Sequence, residues 1–562
     1  MRGMAVSPKG EIEYGEVFTR RWVVDTILDL VGYTADRDLA ATTLVEPSVG
    51  SGAFLGPVVD RLTASAAARG VPLESLTGAI RGYDLQRSHV ETSRALVVER
   101  LTATGGDEAT ARMLAESWLH VGDFLLDDTD LLSLGEALSA GTSVSKDSPA
   151  DFVVGNPPYI RFDDLDRATV AAYRAKYPTM VGRSDIYVGF FERSLAMLKP
   201  SGMLGFICAD RWMRNAYGAK LRGLIAKRYA VDTLWQMHDV DAFHAEVSAY
   251  PAITVLANRP QGSVTVLDTK ATFGAPGAKQ AVAFVRSGED EAEGSGWKGA
   301  RLASWFEGED LWPAGGPDRI RLLEYLQEHF PVLEQTGGTT KISIGVATGA
   351  DKAYVVAPDA DVEPDRLLPI VMADDIRSGV LTPPKKVLIN PWDETGALVN
   401  LTDYPRMEKA LSSHEDVRKR FVARRNPAAW HRTIDRVYPG LAKRPKLLLQ
   451  DMKAQITPVY EPGGYYPHHN LYYIVSTGWD LEVLGGLLLS RIAETFIEAF
   501  GVKMRGGTLR FQAQYLRKIR VPAPESISDD VQGQLRAAFR TRDRDAATRA
   551  AEAAYGLPEG EL

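Results

Sequence analysis

Four stops at polar residues in the first 160 positions limit the folds open to this chain. The short runs Thr43-Leu44-Val45, Gly78 to Tyr83 and Asp151 to Gly155 end at Glu46, Asp84 and Asn156, and Gly122-Asp123-Phe124 supplies a further acidic end between the last two. Acids and an amide at the carboxyl ends of successive strands are what a doubly wound α/β nucleotide site needs, because ligands sit in the crevice outside those ends. After Glu46 the chain runs Pro47-Ser48-Val49-Gly50-Ser51-Gly52 into a helical stretch. Glycines there let the backbone bend closely around a ligand, and the helix start would favour a carboxylate group on it. The pattern is not G-x-G-x-x-G, and a glycine turn alone says little. Asp84, just past the second strand, is placed to hold ribose hydroxyls; Asp123 and Phe124 offer an acceptor and a ring suited to an adenine's amine and face.

The stop at Asn156-Pro157-Pro158-Tyr159 carries the chemistry. Two prolines fix φ, remove two backbone donors and leave carbonyls facing outward beside the side-chain carbonyl of Asn156. A flat guest bearing an NH2 group fits: Asn156 and the Pro157 main chain each accept one N–H, and Tyr159 stacks on the ring. An amine conjugated to a purine is a poor nucleophile. Acceptors held in place favour the tetrahedral nitrogen whose lone pair can attack, which is transition-state stabilisation by fixed dipoles, and no metal is needed. An isolated N-P-P-Y could equally be a turn closing a strand; the strand ends upstream shift the balance.

With 562 residues and 45% hydrophobic composition, the chain can bury at least two cores. Its one cysteine, Cys208, lies in the apolar run Met203 to Ala209 and reads as a buried thiol, which excludes a disulfide framework and any cysteine-cluster zinc site and fits a cytoplasmic location. No apolar span is long and uncharged enough for a membrane; the run from Leu481 is broken by Arg491, Glu494 and Glu498. The net charge of -8 hides an asymmetry, since residues 401–460 hold 13 basic and 6 acidic side chains. The runs containing Arg418, Lys419 and Arg420, then Arg424 and Arg425, then Lys443, Arg444 and Lys446, are either a solvated face or a phosphate-binding surface.

Residues 14–30 read as a loop entering an amphipathic helix with Thr19 as its N-cap, and residues 127–149, rich in Asp, Ser and Gly, as a surface insertion. A helix is expected from Arg183-Ser184-Asp185-Ile186-Tyr187 to Leu198, then a turn at Lys199 to Gly202 and strands over 203–209, 231–237 and 252–257. Phe243 stands in the polar loop between the last two, where a large ring either plugs a hinge or faces a ligand. His238 and His244 in that loop lack the spacing of a metal-ligand cluster.

In content and order these motifs resemble the gamma-class (TaqI-like) adenine-N6 DNA methyltransferases of restriction-modification systems. The resemblance covers the Phe18-Thr19 segment, Glu46 to Gly52, Asp84, Asp123-Phe124, Asn156-Pro157-Pro158-Tyr159, Ser184 to Tyr187 and Phe243. It continues more weakly through Ile342 to Gly349, Ala373 to Ile376 and Ala554 to Leu557. It implies the class I S-adenosylmethionine-dependent fold, a seven-stranded mostly parallel sheet with one antiparallel strand, followed by a C-terminal mixed α/β target-recognition domain. It implies S-adenosyl-L-methionine contacts from Thr19, Glu46, Pro47, Ser48, Val49, Gly50, Gly52, Asp84, Asp123, Phe124 and Pro158. Asn156, Pro157 and Tyr159 would handle a flipped-out adenine, with Phe243 packed against it.

The expected division is a catalytic domain over 1–270, a connector over 271–335, a DNA target-recognition domain over 336–525 and a helical tail over 526–562. The expected partners are double-stranded DNA, contacted by Arg418, Lys419, Arg424, Arg425, Lys443, Arg444 and Lys446, and a separately encoded restriction endonuclease; no metal or membrane is expected. An N-P-P-Y enzyme acting on RNA or on a protein glutamine is the alternative, disfavoured by a second domain with a basic centre.

Overall fold

Neighbouring residues of the central strands bury on opposite faces of one sheet, as the two-residue period of a strand requires. Leu44, Phe152, Val154 and Ile207 enter one apolar cluster, while Val45, Val153, Phe206 and Cys208 enter the other. A sheet covered on both faces is the parallel, helix-flanked kind. The structure is a computed structural model and describes residues 19–126, 149–237, 240–243, 251–501 and 509–560. The stretch Tyr14 to Phe18, the insertion over 127–149 apart from Pro149, and His238 and His244 lie outside these residues. The chain divides into two units, Met1–Ile320 and Arg321–Leu562.

In the first unit the strands are β1 (Leu44–Glu46), β2 (Ile80–Asp84), β3 (Leu119–Val121), β4 (Ala150–Gly155), β5 (Leu198–Ala209), β6 (Ala230–Gln236), β7 (Pro251–Ala257), β8 (Val264–Thr269), β9 (Glu291–Gly294) and β10 (Trp297–Leu302). They form one sheet in the order β3-β2-β1-β4-β5-β7-β6-β8-β10-β9. The first seven in that order are the expected sheet, with β7 antiparallel to both β5 and β6 and the other pairings parallel. The remaining three extend it. Residues 271–335, expected as a connector, supply the helix Ala275–Ser287 and strands β9 and β10, so most of that stretch completes the first unit. The turn expected at Lys199 to Gly202 is a bulge inside β5, where pairing with β4 shifts register and Ser201 takes a φ of 64°.

The chain leaves β1 for β2 and β3 on one side, then returns to place β4 on the other, so strand order reverses between β1 and β4, where such sheets bind ligands. Helix α1 (Arg21–Leu30) buries Val23, Val24, Ile27 and Leu28 from one stripe. It lies close on β5, where a Cβ at Gly205 would stand 2.6 Å from Val31 Cγ1 and 2.8 Å from Ile27 Cγ2. Helices α2 (Leu55–Arg69) and α3 (Arg87–Ala103) follow β1 and β2.

The second unit holds two four-stranded sheets. One runs Thr340–Ile344, Leu471–Ser476, Lys446–Gln450, Val459–Glu461, all antiparallel; the other runs Val355–Val356, Lys386–Ile389, Leu367–Val371, Tyr466–Pro467. The carboxyl-terminal helices Asp529–Thr541 and Arg544–Tyr555 pack on helix Leu481–Leu489. Gly485 and Gly486 permit this approach, because a Cβ on Gly486 would stand 2.5 Å from the Leu535 carbonyl oxygen. Among the described residues no helix is long and apolar enough to cross a membrane.

Candidate active site

At the carboxyl end of β1, Glu46 is 1% exposed and its Oε2 finds no hydrogen-bond partner among the described residues. Burial, and then the nearby charge of Asp84, push its carboxyl well above the usual carboxylate range. Asp84 braces the glycine turn: its Oδ2 accepts from the Gly50 amide at 2.9 Å and its Oδ1 from the Gln86 amide at 2.9 Å, with His89 Nδ1 at 3.3 Å. Gly50 and Gly52 adopt φ of 50° and 91°, and a Cβ at Gly52 would meet Leu96 Cδ2 at 2.6 Å, so the turn requires glycine twice over. Pro47 is buried and Ser48 half-buried. Val49 is a correction to the sequence expectation: its side chain is 3% exposed in the core against Gly82, its amide donates to the Tyr83 carbonyl and its carbonyl accepts from the Gly52 amide.

At the end of β2 the sequence reading missed Leu85, an apolar side chain 65% exposed directly after Asp84, where it could cover one face of a flat ring. Its signal was an unremarkable leucine following an acid. Past β3, Asp123 Oδ2 accepts from Tyr173 OH at 2.8 Å and Oδ1 from the Leu125 amide at 2.9 Å. Phe124 departs from its expected role, being 3% exposed, stacked on Phe190 at 5.3 Å between centroids and lying under the Arg193 guanidinium. Its ring is committed to the core.

The Asn156-Pro157-Pro158-Tyr159 loop leaves β4 beside the Glu46 turn; a Cβ at Gly155 would lie 3.6 Å from Pro47 and 4.0 Å from Glu46. Asn156 is half-buried, Pro157 buried, and Pro158 and Tyr159 half-buried. The loop is backed by Ser184 to Tyr187, with the Ile186 amide donating to the Ile160 carbonyl at 2.8 Å and Arg161 bridged to Asp185. The helix expected from Arg183 to Leu198 spans only Tyr187–Ala196, because 184–186 serve as that backing. Tyr159 stands edge-on to Tyr187 at 6.3 Å, and Tyr187 OH meets Tyr217 OH at 2.6 Å, which donates to Asp185 at 3.1 Å. Burial raises the Asp185 carboxyl and both the Tyr159 and Tyr187 phenols, so these rings are neutral. Tyr159 OH has no hydrogen-bond partner among the described residues.

Thr19 is not the N-cap of α1; Arg20 takes that position without a side-chain cap. Thr19 instead accepts from Asn156 Nδ2 at 3.3 Å and pairs as an isolated antiparallel bridge with Phe243. Arg20 completes a strap, its amide donating to the Ala242 carbonyl at 3.0 Å, its Nε to the Phe243 carbonyl at 3.1 Å and its guanidinium to Asp241 at 2.5 Å. Phe243 reaches the site, but its ring is 6% exposed and packed in the core, so the plug alternative describes this conformation.

Among the basic residues of the second unit, Arg418, Lys419, Arg424, Arg425, Lys443 and Arg444 are exposed. Arg418 lies 3.9 Å above the Trp430 ring and Lys419 pairs with Glu415 at 2.9 Å. Lys446 departs from the expected DNA contact. Its side chain is 0% exposed and ion-paired with the equally buried Glu461, because it opens the strand Lys446–Gln450 facing inward. Arg420 is also internal, donating to the carbonyls of Val417, Thr348 and Trp430 and to Tyr354 OH.

Residues 80–243, which span β2 to Phe243, match the family of Eco57I restriction-modification methylases. Over nearly its whole length the chain is 41% identical to the Type II methyltransferase M.XhoI of Xanthomonas vasicola, covering 98% of each chain. The chain belongs to the Type II restriction-modification DNA methyltransferases. M.PaeR7I of Pseudomonas aeruginosa is likewise 41% identical, over 99% of this methyltransferase and 94% of that one. The fold agrees with a solved structure, the Type IIL restriction-modification enzyme MmeI in complex with DNA, at a TM-score of 0.55 and 11% identity over 96% of this chain and 74% of that one. S-adenosyl-L-methionine is accordingly the cofactor. The residues present fit it: the buried Glu46 carboxyl, whose Oε2 has no partner among the described residues, suits a cationic ligand, and the glycines that follow let the chain approach it closely.

Proposed function

We propose that this methyltransferase modifies the N6 amine of an adenine flipped out of double-stranded DNA. The supporting observation is the rigid Asn156-Pro157-Pro158-Tyr159 loop, held between the Glu46 turn and the Ser184 to Tyr187 backing, with a neutral tyrosine at its tip. Bound S-adenosyl-L-methionine supplies the electrophilic methyl group. Glu46, Asp84 and the backbone of Pro47 to Gly52 hold it, with Thr19, Asp123 and Pro158 around it. The Asn156 side-chain oxygen and the Pro157 carbonyl accept the two amine hydrogens, directing the nitrogen lone pair out of the ring plane, and Tyr159 stacks on the base. Phe243, tied to Asn156 through Thr19, closes the side of the pocket. A base in the stack cannot reach this loop, so extrusion precedes transfer.

Residues 336–525, within the second unit, read the site in duplex DNA, and Arg418, Lys419, Arg424, Arg425, Lys443 and Arg444 contact phosphates. A separately encoded restriction endonuclease would cut the same sequence when it is unmodified. Nucleoside mass spectrometry of plasmid DNA treated with enzyme and cofactor tests the reading. N6-methyladenine is expected; N4-methylcytosine, or a product only on RNA or protein, would overturn it. With 2-aminopurine at the target position, emission in the saturated complex should differ from free duplex and change again in Tyr159→Ala.

A further inference from the structure

Away from the methyl-transfer residues, the second unit gathers three metal-ligating side chains at one point. His468 Nε2 lies 3.0 Å from Asp351 Oδ2 and 3.0 Å from His469 Nδ1, and all three ligand atoms fall within 4.8 Å of one another. We propose that Asp351, His468 and His469 bind one divalent transition cation of the zinc class.

The proton count motivates this. An imidazole nitrogen carries either one hydrogen or one lone pair. If His468 Nε2 holds a hydrogen, that hydrogen cannot point straight at both Asp351 and His469. If it holds a lone pair, it can accept from His469 but then faces a carboxylate oxygen at 3.0 Å with nothing between them. A cation at the centre satisfies all three at once, since tetrahedral zinc with bonds of about 2.0–2.2 Å places its ligand atoms roughly 3.3 Å apart. Two imidazoles and a carboxylate are a zinc-type set with a fourth position left for water.

The scaffold is fixed before any ion arrives. The His468 amide donates to the Val371 carbonyl and the His469 amide to the Val346 carbonyl, and residue 345 must be glycine because a Cβ would stand 2.3 Å from the carbonyl oxygens of both Pro467 and His468. Thr348 Oγ1 donates to the other oxygen of Asp351. The charge is favourable too: Asp435, tied to Ala347 by its amide and its carboxylate, adds a second negative charge acting on His469. His468 is 2% exposed, whereas His469 opens to solvent and gives the ion a path in. The opposite nitrogen of His468, Nδ1, has no hydrogen-bond partner among the described residues. Metal-binding histidines are usually oriented through that nitrogen, so its missing partner should weaken the site by about 10–100-fold relative to one that has it.

The test uses the untagged full chain, stripped with EDTA and titrated with cobalt(II) and zinc(II), beside His469→Ala and Asp351→Asn. Wild type should develop visible cobalt bands that saturate at about one equivalent and are displaced by zinc, and its melting temperature should rise with zinc. Both variants should melt like stripped wild type in EDTA and lose at least tenfold in metal affinity. Wild type that takes up no more cobalt or zinc than His469→Ala overturns the proposal, and the trio is then a hydrogen-bonded cluster only. The result does not depend on which base is methylated.

Discussion

Replacing Lys446 discriminates between the DNA contact expected from its basic run and the core ion pair found in the structure. Its ammonium pairs with Glu461, both side chains being 0% exposed, and also approaches the carbonyls of Tyr465 at 3.3 Å and Ala442 at 3.5 Å. Burial pulls the Lys446 pKa down and Glu461 holds it up. Lys446→Met strands the carboxylate, leaving it the Gly463 amide at 2.9 Å. Removing one member of a buried pair costs about 3–5 kcal/mol, whereas replacing both with apolar groups of similar volume is often close to neutral. For a unit of this size each kcal/mol moves the melting midpoint by roughly 2–4 °C, so the single variant should melt about 6–20 °C lower. Lys446→Met/Glu461→Met should recover most of that loss. Melting by circular dichroism supplies the first readout, and DNA affinity as a function of salt the second. The double variant should keep the wild-type slope of log K against log salt, because an internal lysine releases no counterion. A Lys446→Met protein that melts like wild type and loses about one unit of slope would place the ammonium on phosphate and refute the buried assignment.

Four further outcomes are expected. Asn156→Ala should lower turnover by ~10²-fold or more while calorimetry finds cofactor affinity nearly unchanged; retention of more than a tenth of wild-type turnover would defeat the acceptor role. For Glu46, whose carboxyl pKa is raised on folding, stability of the cofactor-free enzyme should fall as pH climbs from about 4.3 through the raised value, since only the folded state holds that proton there. Glu46→Gln should flatten that dependence, stabilise the cofactor-free protein by about 1–3 kcal/mol and weaken cofactor binding, and wild type should release a proton on binding, measured calorimetrically in buffers of different ionisation enthalpy. Arg20→Ala should cut turnover roughly 10- to 100-fold through misplacement of the Phe243 segment, with cofactor affinity unchanged and partial rescue by Arg20→Lys; equal loss of cofactor affinity would make Arg20 merely structural. Replacing Arg424 and Arg425 together by alanine should reduce the salt slope by about one unit per lost phosphate contact, and an unchanged slope returns them to a solvated face.

The strand-end residues were legible because an apolar run must stop where its sheet stops, and the polar residue at the stop is then positioned by the sheet. That argument put Glu46, Asp84 and Asn156 at the ends of their strands and Asp123 just past β3, whereas the seven-stranded sheet was implied by the family resemblance and its strand order was not read at all. It has no access to which way a side chain turns. Val49 and Phe124 sit at the right chain positions yet face the core, and Lys446 reads as part of a basic run until the inward pleat of its strand is known. Tyr173 and Tyr217 were missed because they meet Asp123 and Asp185 from 50 and 32 residues away. Thr19 fitted an N-cap by local chemistry, and its actual partners are distant ones, Asn156 and Phe243.

The strap formed by Thr19 and Arg20 also orders events on the ribosome. Arg20 emerges early, but its ion-pair partner Asp241 lies 221 residues later and Asn156 lies 137 residues after Thr19. At about 5–20 residues per second the segment must wait roughly 10–45 s for the carboxylate that anchors it. A truncated product ending before Asp241 therefore carries the glycine turn after Glu46 and the Asn156 loop without the strap contacts of Arg20 to Asp241 and Phe243.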